Sequence, residues 1–276
     1  MNLEKQIKKA NYFKELHYDG MFLLPNAWNG GSAKIFEKEG FKAVGTTSAG
    51  IAYSMGYEDG EKIDFKDVFR ITKEMLDVID IPLTVDLERG YGDNNKQIAD
   101  NVKKIIELGA VGINIEDGQP ENNKVDEIDE FCDKIKILSN LKKTMGIPFL
   151  INARTDIFLL GEGSIGEKVE KAIKRVKIIE DAGADCIFLP GSIDVEGIKK
   201  LRVSINLPIN LYLHPAYSDL GELESIGINR LSSGSGIVRS SLNNIINISR
   251  DFIDKNVVTM LDHDFTYGKA NEFFRK

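Results

Sequence analysis

Thr84-Val85-Asp86-Leu87-Glu88-Arg89-Gly90-Tyr91-Gly92 follows an apolar run, Ile81, Leu83 and Val85, and then breaks into two glycines. Alternating apolar positions that run into a glycine turn read as a buried strand and its end. On an extended backbone Asp86 and Glu88 are two apart and point to one side. Two carboxylates on one face at the end of a buried strand make a poor core and a good hard-cation site. Ile113-Asn114-Ile115-Glu116-Asp117-Gly118 places a third carboxylate at the matching point of the next strand.

Outward from this stretch, short apolar runs alternate with amphipathic ones. The runs are Met21–Leu24, Ala43–Thr47, Leu83–Val85, Gly112–Ile115, Phe149–Ile151, Cys186–Leu189, Ile209–Leu211 and Ile228–Leu231. Helical spacing is read over residues 2–18, where it precedes the repeat, and between the runs, for example over Phe65–Ile79, Asn95–Leu108 and Ser164–Ala182. Gly40, Gly109, Gly183 and Gly227 stand between a helical stretch and the next run, where a left-handed residue closes a helix at little cost. Pro82, Pro148 and Pro208 open three of the runs, where a missing N–H does no harm. Eight strand–helix units in 276 residues predict a (β/α)8 TIM-type barrel, an α/β fold in one domain over 1–276, with 251–276 as a C-terminal helical extension. An open doubly wound sheet is the alternative; the GxGxxG fingerprint that marks many such sheets does not follow the first run.

Composition narrows the function class. At 42% hydrophobic and 29% charged residues the chain is of ordinary globular make-up, and a net charge of −7 argues against nucleic-acid binding. No apolar run approaches a membrane span, and the first residues lack the apolar stretch of a secretion signal. The two cysteines, Cys132 and Cys186, have neither disulfide-framework nor zinc spacing, which fits a reducing cytoplasm.

In a barrel, chemistry sits where strands end. These ends carry Trp28 beside two glycines, the turn Thr47-Ser48-Ala49-Gly50, Asp86 and Glu88, Glu116, Arg154, Pro190-Gly191, Asn210 with Tyr212, and Ser232-Ser233-Gly234. Asp86, Glu88 and Glu116, without thiolate or imidazole nearby, suit Mg²⁺ or Mn²⁺ rather than Zn²⁺. Arg154 is expected to grip a carboxylate or phosphonate; its alternative is a salt bridge with Asp156 or Glu116. The amides of Thr47, Ser48 and Ala49 could hold an anion, Asp59 could complete the metal shell or move a proton, and Trp28 either roofs the site or joins the core. His214 reads as structural. Asp117–Lys124, polar and turn-rich, reads as a mobile lid.

In this order, Leu24-Pro25-Asn26-Ala27-Trp28, Thr46-Thr47-Ser48-Ala49-Gly50, Val85–Gly92, Asn114-Ile115-Glu116-Asp117 and Asn152-Ala153-Arg154-Thr155-Asp156 resemble the isocitrate lyase/phosphoenolpyruvate mutase superfamily over roughly residues 1–250. The resemblance implies a barrel whose last helix is exchanged between paired subunits, giving a homodimer or homotetramer. It implies Mg²⁺ held largely through water by Asp59, Asp86, Glu88 and Glu116. It also implies a small 2-oxo or 2-hydroxy carboxylate or phosphonate substrate, bound by the Thr47–Ala49 amides and Arg154. The chain departs from the pattern in Glu88, where the family commonly has Asp, and in the lid. Isocitrate and methylisocitrate lyases carry Lys-x-Cys-Gly-His there; this chain has Gly118-Gln119-Pro120-Glu121-Asn122-Asn123, so those two cleavages are not expected.

The expected site is therefore Arg154, Asp59, Thr47 and Ser48 for the chemistry, with Trp28, Thr47, Ser48, Ala49, Arg154 and Asn210 for substrate and Asp86, Glu88 and Glu116 for the metal. The expected activity is that of the mutase-like branch: making or breaking a C–C or P–C bond through an enolate, as in phosphoenolpyruvate mutase or carboxyphosphonoenolpyruvate phosphonomutase. Lyase or hydrolase action on an oxaloacetate- or malate-like diacid is the close rival. A non-catalytic barrel that binds a small diacid is the reading from another class.

Overall fold

The computed structural model describes every residue except 1, 218, 257, 259–261 and 276. The chain folds as a parallel β-barrel ringed by helices. Strand β1 runs in two segments, Phe22–Leu24 and Asn26–Ala27, on either side of Pro25. Then come β2 (Val44–Thr46), β3 (Leu83–Asp86), β4 (Gly112–Glu116), β5 (Leu150–Arg154), β6 (Cys186–Phe188), β7 (Ile209–Tyr212) and β8 (Arg230–Ser232). Each of the eight apolar runs becomes a strand within three residues of its expected bounds.

Closure happens at Pro25. Phe22–Leu24 pairs with β8 and Asn26–Ala27 pairs with β2, so one strand changes neighbour where proline removes a ladder donor. Its carbonyl still accepts from the Gly45 amide at 2.9 Å. Pro82 and Pro208 behave alike: each lies just before its strand and accepts at 2.9 Å, from Val44 and Ile187.

The helices are α1 (Leu3–Glu15), α2 (Gly30–Lys38), α3 (Ser48–Ser54), α4 (Phe65–Leu76), α5 (Asn95–Leu108), α6 (Ile128–Met145), α7 (Ile165–Ala182), α8 (Val195–Ser204), α9 (Leu220–Ile226), α10 (Gly236–Ile253) and α11 (Tyr267–Phe274). Helix α3 departs from the sequence reading, which had only a turn there. Its Ser-Ala-Gly start is weakly helical, but residues 48–52 are all buried and Thr47 caps it by accepting from Gly50 at 3.2 Å. Of the C-terminal extension, α11 is held by Phe265, Phe273 and Phe274 packed edge to face and by the Lys38 ammonium 4.6 Å above the Phe273 ring. Among the described residues no helix is long and apolar enough to cross a membrane.

The main core lies between barrel and helices. A second, smaller cluster fills the barrel's foot: Phe13 and Ala10 of α1 meet Phe22, Leu24, Leu150 and Cys186. Gln6 ties α1 down by donating to the carbonyls of Ile106 (2.6 Å) and Ala110 (3.0 Å). The foot is thus plugged and the opposite end carries the strand termini. Register and strand parity then fix which residues face inward: Asp86 beside Asn114, Glu116 beside Arg154, Arg154 beside Phe188, and Asn210 beside Arg230.

Candidate active site

At the C-terminal mouth a cavity of about 210 Å³ is lined by Asn26, Thr47, Ser48, Ala49, Asp59, Asp86, Asn114, Arg154, Leu159, Phe188, Pro190, Tyr212 and Ser232–Ser235 side chains or backbone, apart from Ser233. Six expected residues therefore meet: Thr47, Ser48, Ala49, Asp59, Asp86 and Arg154. Asp86 closes β3, and its Oδ2 accepts from the Ser48 amide at 3.3 Å, while Oδ1 is buried without a partner among the described residues. Asp59 comes from an exposed loop but turns its carboxyl to the Ser48 hydroxyl; desolvation, then the Asp86 charge, raises its pKa.

Glu88 corrects the parity argument. Strand β3 ends at Asp86, and Glu88 has a φ of +48°, so period-two alternation no longer applies to it. Its side chain is buried outside the cavity lining. Oε2 accepts from the Glu61 amide at 2.8 Å and Oε1 from the Tyr91 hydroxyl. Glu61 in turn accepts from the amides of Arg89 (3.1 Å) and Tyr91 (2.8 Å), so the two carboxylates clamp the loop reciprocally. Burial, with Asp59 and Asp86 nearby, pushes the Glu88 pKa up to about 7.

Glu116 is buried at the end of β4. Its Oε2 lies 2.9 Å from Arg154 Nη1, an ion pair without hydrogen-bond alignment. Arg154 also donates from Nε to Asp156 Oδ1 (2.6 Å) and from Nη2 to Asp156 Oδ2 (2.9 Å). The structural alternative read for Arg154 is therefore present, with both acids. One edge of the fork is spent on Asp156; of five N–H donors, three remain, two on Nη1 beside Glu116 and one on Nη2. Desolvation raises the Glu116 pKa well above the ordinary value, against the lowering effect of Arg154.

The anion-binding turn is also narrower than expected. The Thr47 amide donates to Ala27 O at 3.0 Å and the Ser48 amide to Asp86, leaving the Ala49 amide. Trp28 belongs with the core: half-buried, it packs on the main apolar cluster and does not line the cavity. Asn210 lies deeper, fully buried, its Oδ1 accepting from Ser232 at 2.7 Å, because its inward position is a full layer below Tyr212. Tyr212, Phe188 and Asn114, absent from the expected set, form cavity wall; two-residue parity from Asn210 and Glu116 is the signal that finds Tyr212 and Asn114, whereas Phe188 is placed only by the register that sets it beside Arg154. His214 packs between Tyr212 and Tyr217, as a structural residue would.

The segment expected as a mobile lid is a built hairpin. Gly118–Gln119 pairs antiparallel with Lys124–Val125 around a 3-10 turn, and Asn123 takes the left-handed conformation at φ +49°. Asp117 is its buried root rather than part of a loose loop. A separate groove of about 540 Å³, between the starts of α5 and α6, shares none of the cavity's residues.

No ion is needed to see why a cation fits. Asp59, Asp86, Glu88 and Glu116 press on one another electrostatically, and Asp86 Oδ1 is an orphan. Among the described residues no three acids, histidines or cysteines converge closely enough to ligate directly, so the set fits a hard ion that keeps water in its shell, as Mg²⁺ does.

The profile described as phosphoenolpyruvate phosphomutase matches residues 13–253. An uncharacterised protein of Mycobacterium tuberculosis is 34% identical over 227 residues, 81% of each chain. The phosphoenolpyruvate phosphomutase of Tetrahymena pyriformis is 30% identical over 193 residues, 67% of this chain and 60% of that protein. The crystal structure of a candidate lyase/mutase from Burkholderia cenocepacia J2315 superposes with a TM-score of 0.90 at 27% identity, over 99% of this chain and 98% of the other. With the barrel, the strand-end acids and these likenesses together, the chain belongs to the phosphoenolpyruvate phosphomutase family, within the isocitrate lyase/phosphoenolpyruvate mutase superfamily of lyases and mutases.

Proposed function

We propose that this chain is a Mg²⁺-dependent enzyme that makes or breaks a C–C or P–C bond next to a 2-oxo or 2-hydroxy carboxylate, through an enolate. The observation that carries this reading is the orphaned Oδ1 of Asp86 in a cavity that also holds Asp59 and Arg154. Asp59, Asp86, Glu88 and Glu116 would hold the ion, which when bound supplies positive charge where the enolate develops. The chain's own groups do the rest. Arg154, its plane fixed by Asp156, offers its remaining N–H donors to a carboxylate or phosphonate, and the Ala49 amide adds another. Phe188, Leu159 and Pro190 form an apolar wall that keeps water from the reacting carbon. The hairpin 118–125 holds neither thiol nor imidazole, which favours chemistry that needs no acid from the lid.

The test is a panel of phosphonopyruvate, oxaloacetate and substituted malates with purified protein and Mg²⁺. Turnover of one of them, abolished by Glu116→Ala and by EDTA, supports the reading; turnover insensitive to EDTA overturns the metal-dependent part. Cleavage of a malate or oxaloacetate rather than rearrangement of the phosphonate would assign the lyase or hydrolase branch. Absence of Mg²⁺ binding by calorimetry, with and without oxalate, would favour a non-catalytic barrel.

We propose further that the chain assembles as a homodimer or homotetramer through α10. Val238 is the single buried residue of that helix, whereas Ile245, Phe252 and Ile253 are 58%, 60% and 79% exposed. An 18-residue helix with so little burial is not stabilised by its own barrel. Light scattering should give a mass above that of the monomer, reduced by Ile245→Asp with Ile253→Asp; a monomeric wild type would refute the assembly.

A further inference from the structure

Below the cavity the barrel interior holds a residue that the reaction does not use. Arg230 opens β8, faces inward beside Phe22 and Asn210, and is fully buried. Its Nε, Nη1 and Nη2 have no hydrogen-bond partner among the described residues, and no carboxylate there lies within ion-pair distance. Arginine keeps its proton at neutral pH, and an uncompensated buried charge costs several kcal/mol. Its neighbours do not offset this. The Asn210 amide Nδ2 is also buried and unpaired, because Asn210 Oδ1 is the side already used by Ser232.

Hydrogen-bond stoichiometry discriminates between the possible occupants. Arg230 presents five orphan N–H donors and Asn210 Nδ2 two more. The orphan acceptors of the interior are Asn152 Oδ1, Thr84 Oγ1, at the mouth Asp86 Oδ1 and Glu116 Oε2, neither of them paired with Arg230, and, at the foot, His17 Nε2, since His17 Nδ1 is engaged with Phe13 O at 2.8 Å. Water donates as often as it accepts, so water by itself passes a donor excess along without removing it. A group that only accepts, and carries negative charge, removes both the excess and the bare cation.

We propose that the barrel interior beneath the active site holds a small monovalent inorganic anion of the halide class, bound by the Arg230 guanidinium and the Asn210 amide. The site is built by strand register: adjacent inward positions on β7 and β8 place the two donors side by side, and the α1 plug seals the foot. It is separate from the mouth, since neither Arg230 nor Asn210 lines the cavity.

The probe is bromide. Crystals of the full chain grown in sodium bromide should show a single anomalous peak within hydrogen-bonding distance of Arg230 and Asn210 Nδ2. The thermal midpoint should rise with bromide at constant ionic strength, and Arg230→Met should lose that dependence. Water without anomalous signal beside Arg230, a guanidinium swung onto the Asp86 carboxylate, or the same bromide dependence in Arg230→Met would each overturn the proposal. If Arg230→Met does not fold, the anomalous map of the wild-type protein decides.

Discussion

Arg175 Nε on α7 donates to Oδ2 of the fully buried Asp117 at 2.8 Å, and the same guanidinium reaches Asp126 O at 2.6 Å. One side chain thus holds both roots of the hairpin 118–125. Asp117 Oδ1 accepts from the Asp156 amide at 2.9 Å, so the hairpin root and the residue that orients Arg154 are one connected unit. Burial raises the Asp117 pKa and Arg175 opposes it. Arg175→Met leaves a buried carboxylate unpaired and is expected to cost about 3 kcal/mol of stability. Urea unfolding gives the loss, and amide exchange should quicken in 117–126 before the barrel strands.

Arg154 is already oriented before any ligand arrives, because Asp156 binds it through two parallel contacts. Asp156→Asn keeps the volume and removes the charge that fixes the plane. If Arg154 binds substrate, kcat/KM should fall on the order of 100-fold with Arg154→Lys, and less with Asp156→Asn. Equal turnover in wild type and Arg154→Lys would remove Arg154 from the site.

Gly118 has no room for a side chain: a Cβ there would collide with the Asp156 carboxylate. Gly118→Ala should therefore displace the Arg154–Asp156 pair and lower kcat/KM by roughly tenfold or more, with a smaller effect on the unfolding midpoint. An unchanged kcat/KM would mean the hairpin root moves independently of Arg154.

The metal-free protein should show opposing pH slopes. Glu88 has its folded pKa raised from 4.5 to about 7, so the folded state holds the extra proton and stability falls as pH rises between those values. The fall is on the order of 3 kcal/mol for Glu88 alone, and Asp59, Glu116 and Asp117 act in the same direction. His17 does the reverse. Burial, and then the Arg230 charge, lowers its pKa from 6.5 to about 3, so stability falls as pH drops through that window. Glu88→Gln should flatten the loss toward pH 7 and His17→Gln the loss toward acid, read as slopes of the unfolding free energy. Mg²⁺ binding to ionised carboxylates should offset the Glu88 term, raising the midpoint most near and above pH 7.

Sequence alone determined the repeat. Apolar runs, glycine closures and strand-opening prolines are local signals, and each acts through backbone geometry that needs no distant partner. That is why the eight strands, most helices and the positions of Asp86, Glu116 and Arg154 at strand ends were legible. Tertiary structure decided how those side chains are used. Glu88 leaves the strand face because its loop turns left-handed at that residue, a geometry stabilised by Tyr91 of the same loop and by Glu61 of the loop between α3 and α4. Arg154 spends one edge on Asp156, the Ser48 amide is taken by Asp86, and Trp28 turns to the core. Arg230 lies within the run Ile228–Leu231, and only barrel closure puts it inside, between Phe22 and Asn210. Pairing of charges and enclosure of polar groups depend on which strands become neighbours, and strand adjacency is set by closure of the sheet at Pro25 rather than by any local run of residues.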